Sequence, residues 1–196
     1  MSDGLQWIAE ANFDHYCATF AKGLEPEELV RRMGGDPAAI TEPMPLDDAV
    51  QLDGGDGLVA MVGSDQGWAF ALELQSMEGD DEDIIVAVSR DTDVVVLTKS
   101  FSAPSMFRLF REGRPVAYFE VRDLDENAVK GDDPAAIIPA MKRAGILLPD
   151  GLSAEPDDAD LCALLLAEQE FGLSIPETTS DRGMLPAVNL EPAAFH

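Results

Sequence analysis

Two histidines and two cysteines set the limits of nucleophilic chemistry in this chain. Such chemistry needs a Ser, Cys or Thr with a base in reach, and histidine is the usual base. His196 is the last residue, so a site would have to rest on His15, two positions before Cys17. In a strand these two share a face, which leaves a Cys-His pair geometrically open. A partly buried thiol near an ordinary surface histidine is the plainer reading and the one expected. The chain has too few Cys and His residues for a usual zinc site. Asp123, Asp125 and Asn127 match the first, third and fifth positions of a calcium loop. That match fails at the sixth position, Ala128 instead of glycine, and at the twelfth, Pro134 instead of glutamate. Asp53-Gly54-Gly55-Asp56-Gly57 lacks both phosphate-loop patterns, and its aspartates would repel phosphate, so it reads as a turn. No cofactor is expected, and the balance leans away from an enzyme.

Carboxylate is what the chain has in excess, with 38 Asp and Glu against 13 Lys and Arg for a net charge of −25. So acidic a chain repels nucleic acid and anionic membranes and favours basic partners. A solvated acidic face is the plain reading of such charge, and an acidic decoy of a phosphate backbone is a sharper alternative. Acids concentrate at Glu78, Asp80, Asp81, Glu82 and Asp83, and again at Asp157, Asp158 and Asp160. These are the candidate contacts for a basic protein partner. Positive charge gathers at Arg108, Arg111, Arg114 and Arg122 among Phe107, Phe110, Tyr118 and Phe119. Arginines and aromatics on a sheet can bind single strands, but the net charge opposes this, and pairing with nearby acids is expected instead.

The elements that must position these groups are legible as short β-branched and aromatic runs joined by turn residues. Strands are expected at Tyr16–Ala21, in a hairpin formed by Leu58–Val62 and Trp68–Leu74, and in a meander from Asp93 to Val121. Pro26–Met33 has proline and acids in its first turn and arginines in its last, which suits a helix. Asp157–Phe171 reads as a helix closed by Gly172, with Leu161, Leu164 and Leu165 at helical spacing. A third helix is expected from Pro134 to a Gly145 cap, and Ile84–Ser89 leans to helix because acids precede it. Asp-Pro-Ala-Ala-Ile occurs at 36–40 and again at 133–137, which two independent helix starts explain. Residues 177–196 are expected to form a loosely ordered tail.

Tyr16–Gly34, Gly67–Phe70, Val94–Val121 and Ala163–Pro176 resemble an uncharacterised family of small acidic actinobacterial proteins, a domain of unknown function. The resemblance implies a single α+β domain and supports a helix at Asp81–Ser89, and it implies no activity and no site residues. The fold expected is α+β: a largely antiparallel sheet of about five or six strands, flanked by three to five helices, within residues 1–176. No stretch is apolar enough for a membrane span, the N-terminus does not read as a signal peptide, and two distant thiols fit the cytoplasm. The function expected is a non-enzymatic interaction module in an immunity, antitoxin-like or regulatory role. The alternatives are a small-molecule or enzymatic pocket near Trp68 and the nucleic-acid mimic. Oligomeric state and partner identity do not follow from the sequence.

Overall fold

The computed structural model describes residues 4–52, 58–101, 103–122, 125–154, 158–178 and 183–190. The glycine-rich stretch at 53–57, Asp123 of the calcium comparison, Asp157 and His196 lie outside them. Among the described residues seven strands run in chain order: β1 (Tyr16–Lys22), β2 (Leu58–Asp65), β3 (Trp68–Glu73), β4 (Asp93–Lys99), β5 (Met106–Arg111), β6 (Arg114–Glu120) and β7 (Ala187–Leu190). They form one antiparallel sheet in the order β6-β5-β4-β1-β3-β2-β7. The α+β class is as expected, but the sheet has seven strands, not five or six. The extra strand is β7, inside the segment expected to be a loose tail. It pairs with β2 from Met61↔Ala187 to Leu58↔Leu190. Its four residues follow Pro186 and carry too short an alternation to declare a strand, so a distant partner decides their conformation.

Among the described residues six helices flank the sheet: α1 (Gln6–Glu10), α2 (Pro26–Arg32), α3 (Leu46–Ala49), α4 (Glu82–Val88), α5 (Ile138–Arg143) and α6 (Ala159–Phe171). In α4 the Asp81 side chain accepts from the N–H groups of Asp83 and Ile84 at 2.9 and 3.2 Å. That N-cap, with Glu82 and Asp83 behind it, outweighs the strand preference of Ile84-Ile85-Val86. The repeated Asp-Pro-Ala-Ala folds to a single 3₁₀ turn in both copies, Pro37–Ala39 and Pro134–Ala136. Asp36 caps its own turn through Ala38 N–H at 2.9 Å. Asp133 instead donates its N–H to the Val116 carbonyl, and α5 starts afresh at Ile138.

Strand alternation separates two cores. On β1, Tyr16, Ala18 and Phe20 enter the larger core with Trp68, Phe70 and Leu72 of β3, under α1, α3, α5 and α6. Cys17 and Ala21 enter the smaller core with Ala69, Ala71 and Val96, under α2 and α4. Both faces are therefore buried, which is why the central strands read as nearly continuous apolar runs. The β5–β6 register shifts between Leu109 and Phe110, so that Leu109 pairs with Ala117 and Phe110 with Pro115. Val116 is the residue left over, and the bulge lets both Val116 and Ala117 join the larger core. No helix among the described residues is long and apolar enough to cross a membrane.

Both sheet edges are partly covered. Tyr118 of β6 exchanges N–H to carbonyl bonds with Lys130 at 2.9 Å, and the N–H of Asp132 donates to the Pro115 carbonyl at 2.8 Å. At the other edge the N–H of Thr41 donates to the Ala187 carbonyl, and that of Ala187 to the Thr41 hydroxyl.

Candidate functional site

Adjacent residues of β1 reach toward the two acidic segments, on opposite faces of the sheet. On the smaller-core face Cys17 lies against Gly79, where an added Cβ would stand 3.0 Å from the sulfur and 2.9 Å from a Glu73 oxygen. Glu73, at the end of β3, is fully buried. It accepts from the Ser76 hydroxyl at 2.6 Å and from the N–H groups of Glu78 and Gly79 at 2.8 and 2.9 Å. Burial raises its pKa, and the three donors oppose that rise without cancelling it. Burial also pushes the Cys17 thiol up, with the charges of Glu73 and Asp80 adding to it. The thiol's contact is the Thr19 hydroxyl at 3.9 Å, and among the described residues no hydrogen bond joins it to His15, which stands before the strand. This cluster ties the loop after β3 to the sheet.

The first acidic segment is largely absorbed by that loop. Asp80 pairs with Arg108 at 2.8 Å, and burial still raises its pKa against the pull of the arginine. Asp81 caps α4, and Glu78 is half-buried with a partner of its own. Glu82 and Asp83 remain exposed in the first turn of α4. Arg111 pairs with Asp93 at 2.6 Å and Arg122 with Asp160 at 3.3 Å.

On the larger-core face a cleft opens where the start of β1, the end of β4, Arg122 after β6 and the N-terminal turn of α6 meet. Its two adjoining depressions, of about 250 and about 290 Å³, share Lys99, Arg122 and Asp160. Asp158 caps α6 by accepting from the Leu161 N–H at 2.9 Å and stays exposed. Asp160 is only 8% exposed, and its Oδ1 is buried without a hydrogen-bond partner. Tyr16 lines the same wall, and burial, followed by the charges of Asp160 and Asp158, pushes its phenol far up. The second depression carries Phe101, 91% exposed at its rim. Asp158 and Asp160 thus share one cleft, while the segment from Glu78 to Asp83 lies across the sheet from them.

Sequence reasoning singled out the two aspartates, and Arg122 as one of a group of arginines expected to pair with acids, but not Tyr16 or Lys99. Tyr16, Lys99 and Arg122 come from separate parts of the sheet, and strand order alone brings them together. Trp68 is packed, with Phe171 edge-on at 6.3 Å between centroids and the Lys22 ammonium 5.8 Å from its ring. No group of three or more His, Cys, Asp or Glu among the described residues could hold a metal ion.

The model of a family of unknown function, DUF6461, matches residues 3–179. No curated protein and no solved structure matches.

Proposed function

We propose that this chain, which belongs to the family of unknown function DUF6461, works by binding, as a non-enzymatic module that docks on a basic protein. One observation carries the reading. If every lysine and arginine took a separate carboxylate, 25 acids would still lack a cation. Among the described residues ion pairs engage Glu28, Asp80, Asp93, Glu126, Asp160 and Glu170. The surplus field steers a positive partner and opposes nucleic acid and anionic lipid. Among the described residues, Glu82 and Asp83 on α4 and Asp158 on α6 are the members of the two acidic segments left facing solvent. A nucleophilic mechanism finds little support, since the Cys17 thiol is buried and its pKa is raised. Both cysteines are free, which suits the cytoplasm, and an immunity, antitoxin-like or regulatory role follows from tight charge-led docking.

The test is a pull-down with the tagged chain from lysate of its native host, washed at low and then high salt, with bound proteins identified by mass spectrometry. A single basic protein recovered in stoichiometric amount and released by salt is the expected result. It should be recovered less well by a Glu82→Lys, Asp83→Lys variant. A partner held equally at both salt levels, or none at all, would remove the reading.

A further inference from the structure

We propose that the cleft beside the N-terminal turn of α6 binds a small zwitterion carrying one carboxylate and one ammonium, as a free α-amino acid does. The site is independent of the acidic-surface reading, because it is concave and holds charges of both signs.

The positive side comes first. Half-buried Lys99 makes no ion pair among the described residues. Arg122 beside it is held by one contact of 3.3 Å to Asp160, with its side chain 62% exposed. A guanidinium is built for bidentate carboxylate binding, and this one uses little of that capacity. Two under-used cations in one concavity make an anion subsite.

The opposite charge lies in the same cleft. A buried carboxylate oxygen without a donor costs stability, and such groups in native proteins call for an explanation. Asp160 Oδ1 is one of these. Since the 3.3 Å contact is its only tie to a cation among the described residues, a small rotation presents Oδ1 to a ligand ammonium. Asp158 adds a second negative charge to that wall. Tyr16, which stays protonated, adds a phenol.

These groups discriminate among ligands. A simple anion would meet the repulsion of Asp158 and Asp160, and a simple amine that of Lys99 and Arg122. A ligand with both charges matches both sides. The depressions of about 250 and about 290 Å³ lie at or below the small end of ligand pockets, which suits a molecule of amino-acid size. Exposed Phe101 offers apolar surface to the ligand's side chain.

The experiment is calorimetric titration of the full chain with the standard α-amino acids, L-leucine among them. Each binder is compared with its singly charged analogues, which for leucine are 4-methylpentanoate and 3-methylbutylamine. We expect at least one amino acid to bind saturably, with both analogues about tenfold weaker or worse. Lys99→Met should weaken it by about tenfold while leaving the unliganded melting midpoint in place, and Arg122→Met should weaken it likewise while lowering that midpoint, because Asp160 loses its cation. Asp160→Asn should weaken it as well, and nuclear magnetic resonance shifts on titration should cluster at Tyr16, Lys99 and Asp160. The proposal is overturned if no amino acid binds up to about 10 mM, if an analogue binds as well as its parent, or if Lys99→Met binds as well as the wild type.

Discussion

Replacing Glu73 by alanine would strand three donors at once: the Ser76 hydroxyl and the N–H groups of Glu78 and Gly79. We expect a loss of about 2–4 kcal/mol by denaturant unfolding, because buried donors left unpaired carry their full desolvation cost. The pH dependence has a definite sign. A carboxyl whose native pKa is raised binds more protons folded than unfolded, so its contribution to stability falls as pH rises from the ordinary carboxylate range through the raised native value. Glu73→Gln should therefore lose less stability than the wild type between about pH 4.5 and pH 7. An unchanged difference would mean that Glu73 titrates normally. The thiols give a second check. Cys17 is fully buried and its thiol pushed up, so a thiol reagent should leave it untouched in the native protein. Cys162 is half-buried with a smaller rise from burial and Asp158, so it should react slowly. Unfolding in denaturant should expose both.

The elements divide by how local their determinants are. β1 to β6, α2 and α6 announce themselves through alternation, caps and terminal charge, and even α4 is given away by the acids ahead of its β-branched residues. β7 is not announced, because its conformation is settled by β2. α1 carries no side-chain cap of its own, since its start is capped from elsewhere: Glu168 on α6 accepts from the N–H groups of Leu5 and Gln6. The side chains facing the larger core from α6 include Ala163, Leu164, Leu166 and Ala167, whereas Leu161 and Leu165 are half-buried. The helix is apolar nearly all round, so periodicity marks it without fixing its rotation. Half of the cleft was visible for the same reason. Acids in a first helical turn are a local signal, and the proximity of Tyr16, Lys99 and Arg122 is a product of strand order. Two tests belong to this scale. Gly172 closes α6 at a φ of +69°, and an added Cβ would meet only the Gln66 Oε1 at an ordinary 3.8 Å, so Gly172→Ala should cost about 1 kcal/mol from backbone strain alone. Val188 of β7 is fully buried in the smaller core, and Val188→Asp should cost well over 2 kcal/mol if the strand is integral to the fold. Loss of less than about 0.5 kcal/mol would show that β7 is dispensable.

For the molecule as a whole, a net charge of −25 works against compactness while it aids solubility. Screening should relieve that repulsion. Raising sodium chloride from about 0.02 M to about 0.5 M shrinks the range of the field to a few ångströms. The melting midpoint should rise by about 2–4 °C, as a gain of about 1 kcal/mol gives in a chain of this size. A midpoint that falls would mean that attractive pairs, such as those of Arg108 and Arg122, outweigh the repulsion.

The treatment of the sheet margins has a further consequence. Lys130 and Asp132 on one side, and Thr41 on the other, occupy main-chain groups that a passing strand would otherwise use. Growth of the sheet by addition of a second chain is thereby hindered at both ends, and like charge keeps copies apart before they touch. Such a protein can stay dispersed at high concentration while partially denatured, provided these flanking segments hold. Recognition of a partner then falls to side chains, so specificity is written in charge and shape, and a point substitution can redirect it without disturbing the scaffold.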